Sequence, residues 1–379
     1  MKLIVDENIA FAKEAFLGFG NLRLLNGRSI TNTEVKDADV IIVRSITQVD
    51  EKLLKNSKVK FIGTTTIGTD HIDLEYLENN NIKFADAKGC NADSVAEYVF
   101  TALLKVVSEE QLSLGGKTIG VVGVGNIGSK VVRLAESFGM KVLKNDPPLE
   151  RKSIGKNYVP LDEILKADII TLHVPLTLEG VDKTHHLLNK ENFKKIKSEA
   201  LIINTARGAA IDNDALLKES SVRNFKLILD VWEDEPSINI RLLKETKVGT
   251  AHIAGYSLEG KVNGTKMIYD SFCKYYNREP AWKPELPKIE QTDLRIPEGK
   301  TDEEKLYKLF FSIYDIEKDD SQLRNITTCK QNRQAAYFDK LRKEYPVRRE
   351  FNNYNIRLSN NETHFKPILE SFRFKVKSD

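Results

Sequence analysis

The sequence predicts an α/β protein: two successive units, each with a mainly parallel sheet wound by helices, followed by a small mixed α+β module. Three observations predict it. Short apolar runs alternate with helical stretches up to Tyr276. A glycine-rich turn at 123–128 lies between a strand-like run and a helix-like run. Pro280, Pro284, Pro287 and Pro297 crowd one polar stretch, which reads as a linker before a C-terminal module.

The elements follow in order. Lys2 to Val5, Val40 to Val43 and Lys60 to Ile62 read as buried strands, each ending in a polar, turn-like segment. Ligands of parallel sheets sit at the carboxyl ends of strands. Arg44-Ser45 and Thr64 to Asp70 therefore stand where a ligand would bind. Residues 91 to 110 read as one long helix, capped by Asn91 or Asp93, with Val95, Val99, Leu103 and Val106 at helical spacing. Gly115-Gly116 breaks that pattern. Thr118 to Val122 is then a strand, Ser129 to Phe138 a helix, and Lys141 to Lys144 a strand ending at Asp146. Further strands are expected at Ile169 to His173, Ala200 to Asn204, Lys226 to Asp230 and Val248 to Thr250. Beyond the linker, Leu306 to Ile316 reads as a helix and Tyr354 to Leu358 as a strand.

Composition excludes several function classes. Lys and Arg number 58 against 55 Asp and Glu, a net charge of +3, too balanced for a nucleic-acid binder or a polybasic membrane protein. No apolar run approaches the ~20 residues of a membrane span, and Asp6 and Glu7 interrupt any signal-type core, so a cytoplasmic protein is expected. Cys90, Cys273 and Cys329 are too scattered for a disulfide framework or a zinc cluster. The six histidines carry no HExxH or His/Cys ligand spacing, so no catalytic metal is expected.

Gly123, Gly125 and Gly128 form GxGxxG, with Asn126 and Ile127 inside it. The motif alone is weak, and a glycine turn that merely packs is the plain alternative. Context strengthens it: a strand before, a helix after, and Asp146 ending the next strand. Gly123 permits the tight turn, Gly125 lets backbone approach a pyrophosphate, and Gly128 lets helix and strand pack closely. The helix N-terminus offers unpaired amides and a positive dipole end to phosphates. Asp146 can accept from both ribose hydroxyls and would repel a 2′-phosphate, which favours NAD over NADP; Lys144 works mildly against that preference.

Three later segments carry the chemistry: Asn204-Thr205-Ala206-Arg207-Gly208, Leu229 to Pro236, and Thr250 to Tyr256. Each follows a strand of the same expected sheet, so they can converge. Dehydrogenating a 2-hydroxy acid needs a bidentate cation for the carboxylate, for which arginine is best suited. It needs a base for the hydroxyl proton, a role that suits histidine. A carboxylate beside that histidine would orient the ring and favour its protonated form. Arg207, His252 and Glu235 fit these roles. Glu233 and Asp234 flank Glu235, so a solvated acidic loop is the alternative reading.

The pieces VGVGNIG, NTARG, DVWEDEP and HIAGY, with GTTTIGTDHID in the first unit, resemble the D-isomer-specific 2-hydroxyacid dehydrogenases over roughly residues 1 to 276. The resemblance implies two Rossmann-like doubly wound domains. A discontinuous substrate domain (1–95 and 257–285) would flank an NAD-binding domain (96–256), with a C-terminal dimerisation domain at 286–379. It implies that Arg207, Glu235 and His252 are catalytic, with His252 the acid/base. Asp146, Val174, Asp230 and Gly255 would lie along NAD, and Ser45, Thr66 and Tyr256 would touch substrate. Val174 stands where threonine is common, a change that a backbone contact survives and a hydroxyl contact does not.

A narrower resemblance runs through KLIVDENI, VRSIT, KGCNADSVAEYV, NDPP, HIAGYSLEGK and the tail segment FDKLRKEYPVRRE. It points to the branch that oxidises 4-phospho-D-erythronate at C2 to 3-hydroxy-2-oxo-4-phosphooxybutanoate in pyridoxal phosphate (vitamin B6) synthesis. The residues agree on an anionic substrate, since Thr64 to Thr69 is a hydroxyl-rich loop after a strand. Arg44 is expected to add a phosphate contact, a surface ion pair being its alternative. Arg348 or Arg349 is expected to reach the substrate phosphate of a partner subunit. A different 2-hydroxy acid, such as 3-phosphoglycerate, is the runner-up. An NADH-sensing corepressor-like protein comes last, because the catalytic set is intact.

Overall fold

The computed structural model describes residues 1–152 and 157–378. The chain forms two compact units, one of residues 1–91 and 257–288 and the other of residues 92–256 and 289–379.

The first unit holds a five-stranded parallel sheet. Its strands are β1 (Lys2–Asp6), β2 (Asn21–Leu25), β3 (Val40–Val43), β4 (Phe61–Thr64) and β5 (Lys83–Asp86), in the order β2-β1-β3-β4-β5. The strand order reverses between β1 and β3, so the crevice beyond their carboxyl ends is the natural ligand position. Asp6 ends β1 there, and Arg44-Ser45 follows β3. The sequence reading missed β2 and β5. Both are edge strands in which exposed and half-buried residues predominate, so neither has the continuous apolar run that reveals a central strand. The helix Leu258–Tyr275 closes one face, its start capped by the Ser257 hydroxyl accepting from Gly260 N at 2.9 Å. Its Ile268 and Phe272 are fully buried against Phe16 and Phe61 of the same core.

The second unit holds a six-stranded parallel sheet: β6 (Thr118–Val122), β7 (Lys141–Asn145), β8 (Ile169–Leu172), β9 (Leu201–Asn204), β10 (Lys226–Leu229) and β11 (Val248–Gly249). Their order is β11-β10-β9-β8-β6-β7, with the reversal between β6 and β8. The long helix is Ala92–Glu109, buried around most of its circumference. It packs on the helices Asn126–Ser137 and Asp302–Ile313.

Residues 289 onward carry a three-stranded parallel sheet of β12 (Asp293–Arg295), β13 (Asn355–Leu358) and β14 (Lys375–Ser378), in the order β12-β13-β14. Phe310, Phe351 and Phe372 of this module share one core with Phe100 and Phe138. The buried carboxylates Glu97 and Glu350 both accept from Arg373, at 2.8 and 2.9 Å. The module is thus built onto the second unit.

The expected helix over Leu306 to Ile316 is corrected. The helix starts earlier, because the Thr301 hydroxyl caps Glu304 N at 3.1 Å, and it ends at Ile313. Tyr314 is extended, with φ −135°, and donates its hydroxyl to Asp319 at 2.9 Å. Asp315 then caps a new helix, Ile316–Arg324. No helix among the described residues is long and apolar enough to cross a membrane.

Candidate active site

The glycine loop follows β6, and the helix begins at Asn126 with Gly125 as its N-cap, three residues earlier than the sequence reading put it. Gly123 has φ +82°, and a Cβ on it would stand 2.6 Å from the His173 carbonyl oxygen. A Cβ on Gly128 would stand 1.9 Å from the Gly123 carbonyl oxygen. Both positions exclude any side chain, so the tight strand-to-helix packing is real. Gly125 and Asn126 are exposed at the helix start and Ile127 is half-buried, leaving first-turn amides open to an anion. Asp146 accepts from Val124 N at 2.8 Å and from Leu149 N at 3.0 Å, which fixes its carboxylate beside the loop. Val174 packs on the same turn, its Cγ1 2.9 Å from the Cβ position of Gly123. An amide-lined helix start with a carboxylate beside it suits a dinucleotide whose ribose is unphosphorylated.

The second set is assembled from three strand ends. After β9, the Asn204 side chain accepts from Ala206 N at 3.0 Å and donates to Arg207 O at 2.9 Å, folding the turn that carries Arg207. Gly208 lies directly on the Trp232 backbone, where a Cβ would come within 1.9 Å of the Trp232 carbonyl. That contact seats the Arg207 segment on the segment after β10. There Glu235 accepts from Trp232 N at 2.8 Å through one oxygen and pairs with His252 Nδ1 at 2.7 Å through the other. Burial works against the charge of Glu235. The neighbouring His252 and the two hydrogen bonds outweigh it and hold the carboxyl pKa below its usual value. With Nδ1 engaged by Glu235, the other ring nitrogen, Nε2, is left for chemistry.

The loop carrying His252 is itself held by Asp230. Its buried carboxylate accepts from Thr250 Oγ1 at 2.6 Å, Ile253 N at 2.7 Å and Ala254 N at 3.0 Å, while its carbonyl accepts from His252 N at 2.7 Å. Tyr98 shares a 2.6 Å hydrogen bond with Thr250, and Trp232 Nε1 donates to Thr250 O at 2.9 Å. Thr250 and Trp232 fall within the segments read from the sequence, but their role as supports was not read there. Gly255 and Tyr256 follow half-buried. Tyr256 packs edge-on to Tyr345 of the C-terminal module at 5.7 Å.

In the first unit, Ser45 is exposed just after β3. Thr66 Oγ1 lies 2.7 Å from Thr64 Oγ1 and donates to Gly68 O at 3.1 Å, while Thr64 also meets His71 Nε2 at 3.1 Å. The hydroxyl loop is therefore internally braced. Arg44 Nε donates to the buried Asp6 at 3.0 Å.

One expectation needs revising, and one cluster went unread. Arg348, expected at a partner subunit, is turned into its own chain: it is 8% exposed, its guanidinium donates to Ser94 Oγ and Ala254 O, and it stacks over the Tyr314 ring at 4.4 Å. Its Nη2 is engaged there, and its Nη1 is buried without a hydrogen bond among the described residues. In addition, His185, His186 and Glu233 come together with ligand atoms within 4.8 Å, a cluster that linear spacing did not reveal. Their geometry does not converge on one ion. The two imidazoles stack at 4.0 Å and 20°, so their lone pairs run side by side, and Glu233 already takes His186 Nε2 at 2.6 Å and Asn213 N at 3.2 Å.

Comparison with known proteins agrees with this geometry. Residues 94–254 match the family "D-isomer specific 2-hydroxyacid dehydrogenase, NAD binding domain", and residues 286–367 match a domain of unknown function (DUF3410). The chain is 41% identical over 360 residues to an erythronate-4-phosphate dehydrogenase of Tolumonas auensis, covering 94% of this chain and 95% of that protein. A Cronobacter sakazakii protein of the same name is 40% identical, covering 93% and 92%. Among solved structures, D-lactate dehydrogenase from Aquifex aeolicus, complexed with NAD and lactic acid, superposes with a TM-score of 0.60 at 30% identity. It covers 73% of this chain and 94% of its own. With its NAD-binding domain matched and relatives this similar along nearly their whole length, the chain belongs to the D-isomer-specific 2-hydroxyacid dehydrogenases, in the erythronate-4-phosphate dehydrogenase branch.

Proposed function

We propose that the protein oxidises 4-phospho-D-erythronate at C2 to 3-hydroxy-2-oxo-4-phosphooxybutanoate, with NAD as acceptor, in vitamin B6 synthesis. The observation that carries the substrate assignment is coverage. Relatives named for this reaction match 94% and 93% of the chain, whereas the D-lactate dehydrogenase structure matches 73%.

His252 removes the hydroxyl proton from C2–OH through Nε2. Glu235, ionised beside it, steadies the imidazolium that forms. Arg207 grips the substrate carboxylate and polarises the C2 oxygen. NAD, when bound, accepts the hydride that leaves C2. Gly123, Gly125, Asn126, Ile127 and Gly128 would hold its pyrophosphate and Asp146 its adenosine ribose; Val174, Asp230 and Gly255 would line the nicotinamide side. Ser45, Thr66, Tyr256 and Arg44 would bind the rest of the substrate. The protein works in the cytoplasm as a homodimer formed through residues 286–379. This part of the reading rests on the family resemblance.

The experiment is NADH-linked turnover of 4-phospho-D-erythronate and 3-phospho-D-glycerate side by side, with the matching oxo acids run in reverse. Preference for the four-carbon pair is expected. Preference for the three-carbon pair would keep the roles of Arg207, Glu235 and His252 but overturn the substrate. Light scattering of the purified protein checks the dimer.

A further inference from the structure

We propose that Arg342, delivered by the C-terminal module, is a specificity-determining residue that binds the substrate's phosphate. The proposal rests on the functional reading above.

Arg342 lies in the last turn of the helix Gln331–Lys343. Its guanidinium sits over the Tyr256 ring, 5.9 Å from the centroid, four residues past His252. Tyr345 packs edge-on to the same ring at 5.7 Å, so the module sets one cation and one ring against Tyr256. The Nε atom of Arg342 is buried and makes no hydrogen bond among the described residues. A buried guanidinium N–H without an acceptor is costly, and arginines placed so are normally paired with an anion.

The nearby carboxylates are already engaged. Glu235 gives one oxygen to Trp232 N and the other to His252. Asp230 gives both of its oxygens to Thr250, Ile253 and Ala254. They face Arg342 as charges, and with Tyr256 they outweigh the burial that opposes its ionisation, so the arginine stays cationic. The group it lacks is an external anion.

The substrate brings two anions. Its carboxylate, next to the reacting carbon, belongs to Arg207. That leaves the phosphate at the far end of the four-carbon chain. A guanidinium whose Nε lacks an acceptor suits phosphate, which accepts the paired N–H donors of that fork. Arg348, the tail arginine first considered for this task, is 8% exposed: its Nη2 donates to Ser94 and Ala254, and its Nη1, though also without a hydrogen bond among the described residues, is buried with it.

The test uses the full-length protein with Arg342→Met, which keeps an unbranched side chain over Tyr256, and Arg342→Lys, which keeps the charge. Steady-state KM for 4-phospho-D-erythronate and the competitive Ki of inorganic phosphate are measured together, with NADH affinity read by fluorescence. The expected result for Arg342→Met is a rise of about 30-fold or more in both KM and Ki, with NADH affinity within about threefold of wild type. Arg342→Lys should fall between the two. A raised KM with an unchanged phosphate Ki would overturn the proposal, because the arginine would then act only by bracing Tyr256. An unchanged KM would overturn it as well. If the wild-type protein itself fails to turn over 4-phospho-D-erythronate in either direction, the substrate reading falls instead, which wild-type assays reveal before any variant is made.

Discussion

The glycine loop and the Arg207, Glu235, His252 set lie in the same unit and are built in opposite ways. The loop is contiguous, and its work is done by backbone. Gly123 and Gly128 bring a turn and a helix start into contact, and the amides that face an anion belong to neighbouring residues. The catalytic set is dispersed over three strand ends, and its work is done by side chains. Each of those is propped by others: Arg207 by Asn204, Glu235 by Trp232, and the His252 loop by Asp230. A backbone site tolerates change in the residues around it and fails when a glycine acquires a side chain. A side-chain site fails one residue at a time.

The largest effect should come from His252. His252→Ala should lower turnover by about 10³–10⁴-fold, the upper range for a general acid/base. NADH affinity should stay within about threefold of wild type, because the loop that holds it is built elsewhere. Loss of NADH binding in a folded His252→Ala protein would show that the two regions are not separable in this way.

Glu235→Gln should come next. Turnover should fall by about 10²-fold, since a neutral amide supports the imidazolium less well than a carboxylate. Stability offers an independent readout. Glu235 has a folded pKa below the unfolded value of 4.5. Its contribution is therefore fully present above that pH and is lost as pH falls through the lower folded value. The difference in urea midpoint between wild type and Glu235→Gln should shrink on acidification below 4.5. A difference that stayed constant would mean that Glu235 is not held ionised by its neighbours.

Gly128→Ala probes the other region. The added Cβ would meet the Gly123 carbonyl at 1.9 Å, so the turn must open. Overpacking of this kind costs roughly 2 kcal/mol, equivalent to about 30-fold weaker NADH binding if the strain falls on the bound state. At saturating cofactor, turnover should change by less than about threefold. A large fall in turnover at saturation would tie the catalytic set to the loop more tightly than their separate construction implies.

This contrast also explains what could be read from the sequence. The loop was legible because strand, glycines, helix and acidic residue follow one another in a fixed spacing. Arg207, Glu235 and His252 were legible only as members of three motifs at the ends of apolar runs. The central strands β3 and β6 showed themselves by their unbroken apolar residues, whereas the edge strands β2 and β5, half-exposed, did not. Thr250 as a support for Asp230, the stacked His185 and His186, and Arg342 over Tyr256 are contacts between residues far apart in the chain or hidden in loop geometry. No periodicity encodes them. In the tail, the segment FDKLRKEYPVRRE pointed to the right branch, whereas its basic pair did not show that Arg348 is buried in its own chain.

His173 stands where the two regions meet, and the smallest predicted effect concerns it. Its carbonyl fills the space beside Gly123, while its ring lies 2.9 Å from Thr171 Oγ1 and 3.5 Å from Thr205 Oγ1, in the segment that leads to Arg207. Burial pushes its pKa down from 6.5 to about 3. The folded protein therefore keeps this ring neutral over a range in which the unfolded chain takes up a proton. Stability from this residue is full above 6.5 and declines as pH falls towards 3, by up to about 1.4 kcal/mol per pH unit. His173→Gln, uncharged and still able to hydrogen-bond both threonines, should remove that slope. Urea unfolding of both proteins at pH 7, 6 and 5 measures it, over a range above the main carboxylate titrations. Parallel curves would mean that the ring takes up its proton in the folded state as well, and that the junction between the loop and the catalytic set is open to water.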